Sequence, residues 1–138
     1  QMRLAKEGAK LQRSAYTILE SLDRAQYANK ACGGLPFGTM KRIELARALI
    51  NKPDLLLLDE PATGLNQSEV NELSSLIKTV RNEYGLTILL VEHHMGMVMG
   101  ISDRVVVLDF GSKIAEGTPE EIQQNSLVIN AYLGVSHD

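Results

Sequence analysis

Four consecutive leucines, Leu55 to Leu58, stand between Pro53 and Pro61. The prolines leave too little chain for a helix, because the residue before a proline avoids the helical region. An apolar run this short, without polar alternation, predicts a strand buried on both faces, as in a parallel sheet. Leu86 to Val91 predicts a second buried strand, helped by the β-branched Thr87, Ile88 and Val91. Arg104 to Asp109 predicts a third, which Phe110-Gly111-Ser112 turns into a short hairpin with Lys113 to Glu116.

Helical patterns separate these strands. Before the first, Leu11, Ala15, Ile18, Leu19 and Leu22 recur at steps of three and four, predicting a helix from Leu4 to Leu22. The polar stretch Gln26 to Pro36 reads as a connection. A helix from Thr39 to Asn51 follows, with Ile43, Ala46 and Ile50 as one stripe beside Leu45 and Leu49. A helix from Gln67 to Asn82 has Val70, Leu73, Ile77 and Val80 as its stripe, with Asn66 and Glu69 spaced as a capping box. A short methionine-bearing helix spans Met95 to Gly100, and its methionines read as packing. Thr118, Pro119 and Glu121 start another helix, and a last one from Ser126 to Leu133 ends at Gly134. Strands alternating with helices predict an α/β layer fold.

Composition removes several classes. The 138 residues are 44% hydrophobic and 22% charged, which excludes disorder and collagen-like repeats. A net charge of −3 argues against nucleic acid as a partner. The single Cys32 forms no internal disulfide, and no apolar run approaches the ~20 residues of a membrane-spanning helix. The N-terminal residues show no signal-peptide core.

Three patterns point to chemistry. The first is Asp59-Glu60-Pro61 at the end of the leucine strand, where open α/β sheets bind ligands. Neighbours on a strand point to opposite sides, so the two acids divide their roles. Asp59 is placed to hold magnesium, and Glu60 to orient or deprotonate a water attacking a phosphate. A pair of solvated acids is the alternative. The second is Leu35-Pro36-Phe37-Gly38-Thr39 leading into a helix whose free N–H groups form an anion site, where Gly38 permits close approach. Lys41 and Arg42 in that first turn oppose the helix dipole and call for a negative partner. A plain helix start is the alternative. The third is Glu92-His93-His94 at the end of the second strand. A histidine there can reach a phosphate oxygen, sit plainly on the surface, or pair with His94 on zinc, for which no further ligand spacing is present.

The order of these patterns, with Gly64-Leu65-Asn66 between them, resembles the ATP-binding subunit of ABC transporters. There they are the signature motif, the Walker B strand, the D-loop and the switch-histidine loop. The stretches Val98 to Arg104, Ala115 to Ile122 and Ala131 to Gly134 resemble the branch serving branched-chain amino acid importers. The resemblance implies an α/β fold, the C-terminal part of a P-loop NTPase (RecA-like) ATPase domain with part of its helical subdomain. Residues 1–52 would be helical subdomain and signature helix, 53–118 the Walker B to switch-histidine core, and 119–138 a helical tail. It implies ATP and magnesium as cofactors. Asp59 would hold the metal, Glu60 and His93 would be catalytic, and Leu35, Gly38, Thr39, Gly64 and Asn66 would contact nucleotide across a dimer. The implied partners are a second ATPase subunit and integral membrane permease subunits, at the cytoplasmic face of the membrane.

The pattern also departs from the family. The common signature is Leu-Ser-Gly-Gly-Gln, and here Pro36, Phe37 and Thr39 replace its serine, first glycine and glutamine. Asn66 replaces the usual D-loop aspartate, and His94 stands where aspartate is common. No Gly-x-x-x-x-Gly-Lys-Ser/Thr loop and no upstream glutamine loop is present. The sequence thus reads as the C-terminal half of a subunit about twice its length, inactive alone. The competing readings are a soluble, non-transport ATPase of the same family and a non-enzymatic dimerisation or interaction module.

Overall fold

The computed structural model describes residues 2–133, in two compact units that divide between Leu90 and Val91. The first contains α1 (Met2–Ser21), a 3-10 turn (Ala25–Tyr27), α2 (Phe37–Leu49), β1 (Leu55–Asp59) and α3 (Gln67–Tyr84). It also contains nearly all of β2 (Thr87–Val91), which forms a two-stranded sheet with β1. The long helix α3 connects the two strands.

Leu22, Leu49 and Val80 are the most deeply buried side chains of this unit. The Ser21 and Tyr84 hydroxyls, 3.0 Å apart, tie the end of α1 to the end of α3. The α1 stripe is buried only at its C-terminal end: Ile18 and Leu22 are buried, whereas Leu11 is 60% exposed. Helix α2 begins at Phe37, two residues before the expected Thr39, because Pro36 is its N-cap. Helix α3 has the expected box: the Asn66 Oδ1 accepts from the Glu69 N–H at 3.0 Å, and the Glu69 Oε2 from the Asn66 N–H at 2.9 Å. Gly85, at φ +62°, ends α3 in the left-handed region that glycine enters without strain.

The expectation that the leucine strand is buried on both faces is corrected. Leu56 is buried and Leu58 half-buried, but Leu55 and Leu57 are 52% and 64% exposed. Leu89 on β2 is exposed too. Among the described residues only one face of this sheet is covered.

The second unit contains α4 (Met95–Ile101), β3 (Val105–Asp109), β4 (Ser112–Gly117), α5 (Pro119–Gln123) and α6 (Ser126–Val128), which runs into a π-helical turn (Ile129–Leu133). Strand β3 pairs antiparallel with β4, Val105 opposite Gly117 and Asp109 opposite Ser112, with a bulge between Val107 and Leu108. Among the described residues it joins that hairpin and not the β1–β2 sheet. Alternation puts Val105 and Val107 inward against Val98, Ala115, Ile122 and Val128. Met95 and Met99 pack on this core and Met97 is buried, as methionine packing requires. Thr118 and Glu121 form the second expected capping box. The Tyr132 hydroxyl donates to the Leu108 carbonyl. Gly134 lies outside the described residues.

Candidate functional site

Asp59 is the last residue of β1, and both Asp59 and Glu60 are exposed. The strand ends between them, so strand alternation does not separate the two acids. Instead the backbone turns into the left-handed region at Glu60, φ +44°, which costs a non-glycine residue roughly 1–3 kcal/mol. The following turn holds it there. The Thr63 N–H donates to the Glu60 carbonyl at 3.1 Å, and the Thr63 hydroxyl to its Oε2 at 3.4 Å. The Leu65 N–H donates to the Ala62 carbonyl at 3.1 Å, and Ala62 is buried beneath.

These acids fit a magnesium site of the kind that is mostly water and phosphate. Among the described residues no three His, Cys, Asp or Glu side chains converge as a cage. One exposed carboxylate at a strand end suffices for a cation that prefers to keep its waters.

The start of α2 is the second part of the site. Pro36 has no N–H, and its carbonyl accepts from both the Thr39 and the Met40 N–H at 3.0 Å. The amides of Phe37 and Gly38 are therefore the donors left at the helix end, and the Thr39 amide is not. The Thr39 side chain is buried and Leu35 half-buried. A cleft of about 210 Å³ opens beside this turn, lined by Arg24, Pro36, Gly38, Thr39, Lys41 and Glu69 among others. In it the Arg24 Nε is buried without a hydrogen-bond partner, while the same guanidinium donates to the Asp23 carbonyl at 2.6 Å and pairs with the Asp23 carboxylate at 3.7 Å.

The negative partners that Lys41 and Arg42 call for lie within the chain. Arg42 pairs with Glu72 at 3.0 Å and Lys41 with Glu44 at 3.7 Å. The Lys41 ammonium also stands 5.3 Å from the centre of the Phe37 ring. Phe37 in turn lies on Gly64, where a Cβ would meet the ring at 3.2 Å. Gly64 has φ +80°, so glycine is needed there for both space and conformation. Gly38 faces the Glu69 carboxylate, whose Oε1 lies 3.5 Å from where a Cβ would be. Sequence reasoning put Phe37 in the signature pattern and Glu69 in the capping box but missed their contacts with Gly64 and Gly38, and it missed Glu72 altogether. Arg42 and Glu72 are 30 residues apart, and no short-range pattern signals the pairing.

His93 lies in the second unit, exposed, on the turn before α4. The half-buried Glu92 carboxylate accepts from the His93 and His94 N–H groups at 3.1 and 3.3 Å, which holds this turn. His94 caps α4: its Nδ1 accepts from the Met97 N–H at 3.2 Å. That nitrogen is engaged within the chain.

Two family models match the chain, ABC transporter over residues 1–63 and branched-chain amino acid ATP-binding cassette transporter over residues 112–138. The chain is 49% identical over 120 residues to the high-affinity branched-chain amino acid transport ATP-binding protein LivG of Salmonella typhimurium, covering 87% of the chain and 47% of that protein. It is 47% identical over 116 residues to BraF of Pseudomonas aeruginosa, of the same description, covering 84% of the chain and 46% of that protein. The solved ADP conformation of MJ1267, an ATP-binding cassette of an ABC transporter, superposes with a TM-score of 0.82 at 27% identity, covering 91% of the chain and 51% of that structure. The chain thus spans about half the length of the curated relatives it matches.

Proposed function

We propose that the chain belongs to the ATP-binding subunits of ABC transporters and that the subunit carrying it hydrolyses ATP to power an importer of branched-chain or related amino acids. The observation that carries this reading is the pair Asp59 and Glu60 at the end of β1, with Glu60 held in a strained turn. Strain of this kind persists where the surroundings over-determine it, and it clusters at active sites. The likeness to LivG and BraF, together with the matched C-terminal residues, supports the cargo class.

In this reading each residue has one task. The Glu60 carboxylate orients the water that attacks the γ-phosphate and takes up its proton. Asp59 holds magnesium, which when bound neutralises phosphate charge. The Phe37 and Gly38 amides at the start of α2 donate to the γ-phosphate held by a second ATPase subunit, with Leu35, Thr39, Gly64 and Asn66 shaping that contact. His93 donates to a γ-phosphate oxygen. Closure of the dimer drives permease subunits in the membrane. Among the described residues no helix is long and apolar enough to cross a membrane. In this reading the subunit meets its permease partners at the cytoplasmic face of the membrane. The test is phosphate release by the whole subunit at varied magnesium. The parent turns over, and Asp59→Asn requires more magnesium for the same rate. No phosphate release by the parent, with its permease partners present, contradicts the reading.

A further inference from the structure

Helix α2 meets the segment that follows Glu60. Three contacts join them. The Phe37 ring covers Gly64 at 3.2 Å from its would-be Cβ. The Glu69 carboxylate spans the gap, with Oε2 accepting from the Asn66 N–H at 2.9 Å and Oε1 facing Gly38 at 3.5 Å from its would-be Cβ. Arg42 closes the row on Glu72 at 3.0 Å. Phe37 and Gly38 make the first two contacts from one turn of α2, and Arg42 makes the third from the next.

The consequence follows from what each side carries. One side presents the Phe37 and Gly38 amides. The other begins at Glu60, whose carbonyl anchors Thr63, while Ala62 anchors Leu65. Gly64 lies inside that closed turn, so a ring pressed on Gly64 restricts the turn that fixes Glu60. An aromatic ring is a poor substitute for glycine if its only neighbour is a phosphate. It is a good one if its work is to cover a neighbouring loop.

We propose that Phe37 is a positioning residue: through Gly64 it fixes the turn that sets Glu60, and it locks the α2 amides and that turn into one body, with Arg42–Glu72 as the second fastening. This rests on the reading of Glu60 as the residue that activates water. The Phe37 ring touches no reacting atom in this role, and the backbone amide that donates to phosphate is the same in Phe37→Ala and Phe37→Tyr.

Two measurements on the whole subunit test it. The first needs no turnover: amide hydrogen exchange without nucleotide. Phe37→Ala should speed exchange at the Thr63 and Leu65 amides about 10-fold, a local opening, while Phe37→Tyr retains the ring and the parental rate. Equal exchange in parent and Phe37→Ala overturns the proposal whether or not the protein hydrolyses ATP. The second is steady-state kinetics. Misplacing a catalytic group from a distance can cost up to about 10²-fold, so Phe37→Ala should lower kcat about 10-fold or more with KM for ATP little changed. Phe37→Tyr should restore it. Arg42→Glu and Glu72→Arg should each lower kcat, and the double exchange should recover most of it. Phe37→Ala with parental kcat, in a protein that Glu60→Gln inactivates, sinks the proposal and leaves the reading of Glu60 intact. A Glu60→Gln variant as active as the parent sinks the reading instead, and the exchange result then decides the coupling alone.

Discussion

Gly38 shows how much a single position carries. Its amide is one of two donors left at the start of α2, and the Glu69 Oε1 lies 3.5 Å from where its Cβ would be. Gly38→Asp would set a second carboxylate against Glu69 and against any incoming phosphate. Like charges in contact are unfavourable, and anions near the amides are what the helix end selects. We expect Gly38→Asp to abolish ATP-driven dimerisation of the whole subunit in sedimentation, with the monomer still folded. Unchanged ATP-dependent dimerisation would remove Gly38 from the interface. The residue types at this site were legible in the sequence, since Asp59, Glu60 and Gly38 follow from motif and spacing. The strained φ of Glu60 was not, because left-handed backbone in a non-glycine residue leaves no local signature. The covering of Gly64 by Phe37 was not either, because it is a tertiary contact between distant segments.

Elements repeat the lesson. Both capping boxes were readable, because they depend on residues three apart. Asn66→Ala removes the Oδ1 that accepts from the Glu69 N–H and leaves the Asn66 N–H bonded to the Glu69 carboxylate, so it should cost about 1 kcal/mol in urea unfolding. No measurable loss would mean that the box is not held in solution. Strand exposure was misread, because four leucines in a row say nothing about which face the described elements cover. The β3–β4 hairpin carries its own electrostatics. Lys113 first and Arg104 second hold the Glu116 carboxyl at about 2, well below its ordinary 4.5. A depressed carboxylate stabilises the fold above its unfolded value, and that contribution fades as the pH falls from about 4.5 to about 2. The group is exposed, so salt weakens the effect. Glu116→Gln should flatten the acid limb of the stability profile over that window, because the variant lacks the contribution at neutral pH and converges with the parent near pH 2. An identical acid limb in the variant would show that the cluster does not form.

At the scale of the molecule, each of the two units has its own buried residues, and the first leaves an apolar strand face uncovered. Leu55, Leu57 and Leu89 are all more than half exposed. Faces of that kind mark contact surfaces or association liabilities. The 138-residue chain by itself should therefore self-associate in sedimentation, and Leu57→Lys with Leu89→Lys should shift it toward monomer. A monodisperse parent would show that this face is tolerated in water. The central claim concerns chemistry at the end of β1. Its most direct measurement is ATP turnover beside ATP binding for Glu60→Gln in the whole subunit. Glutamine keeps the length of the side chain and removes only its basicity. Losing a general base lowers the rate by roughly 10²–10⁴-fold, so we predict turnover to collapse while nucleotide binding stays at the parental level. Near-normal steady-state hydrolysis by Glu60→Gln would contradict the account.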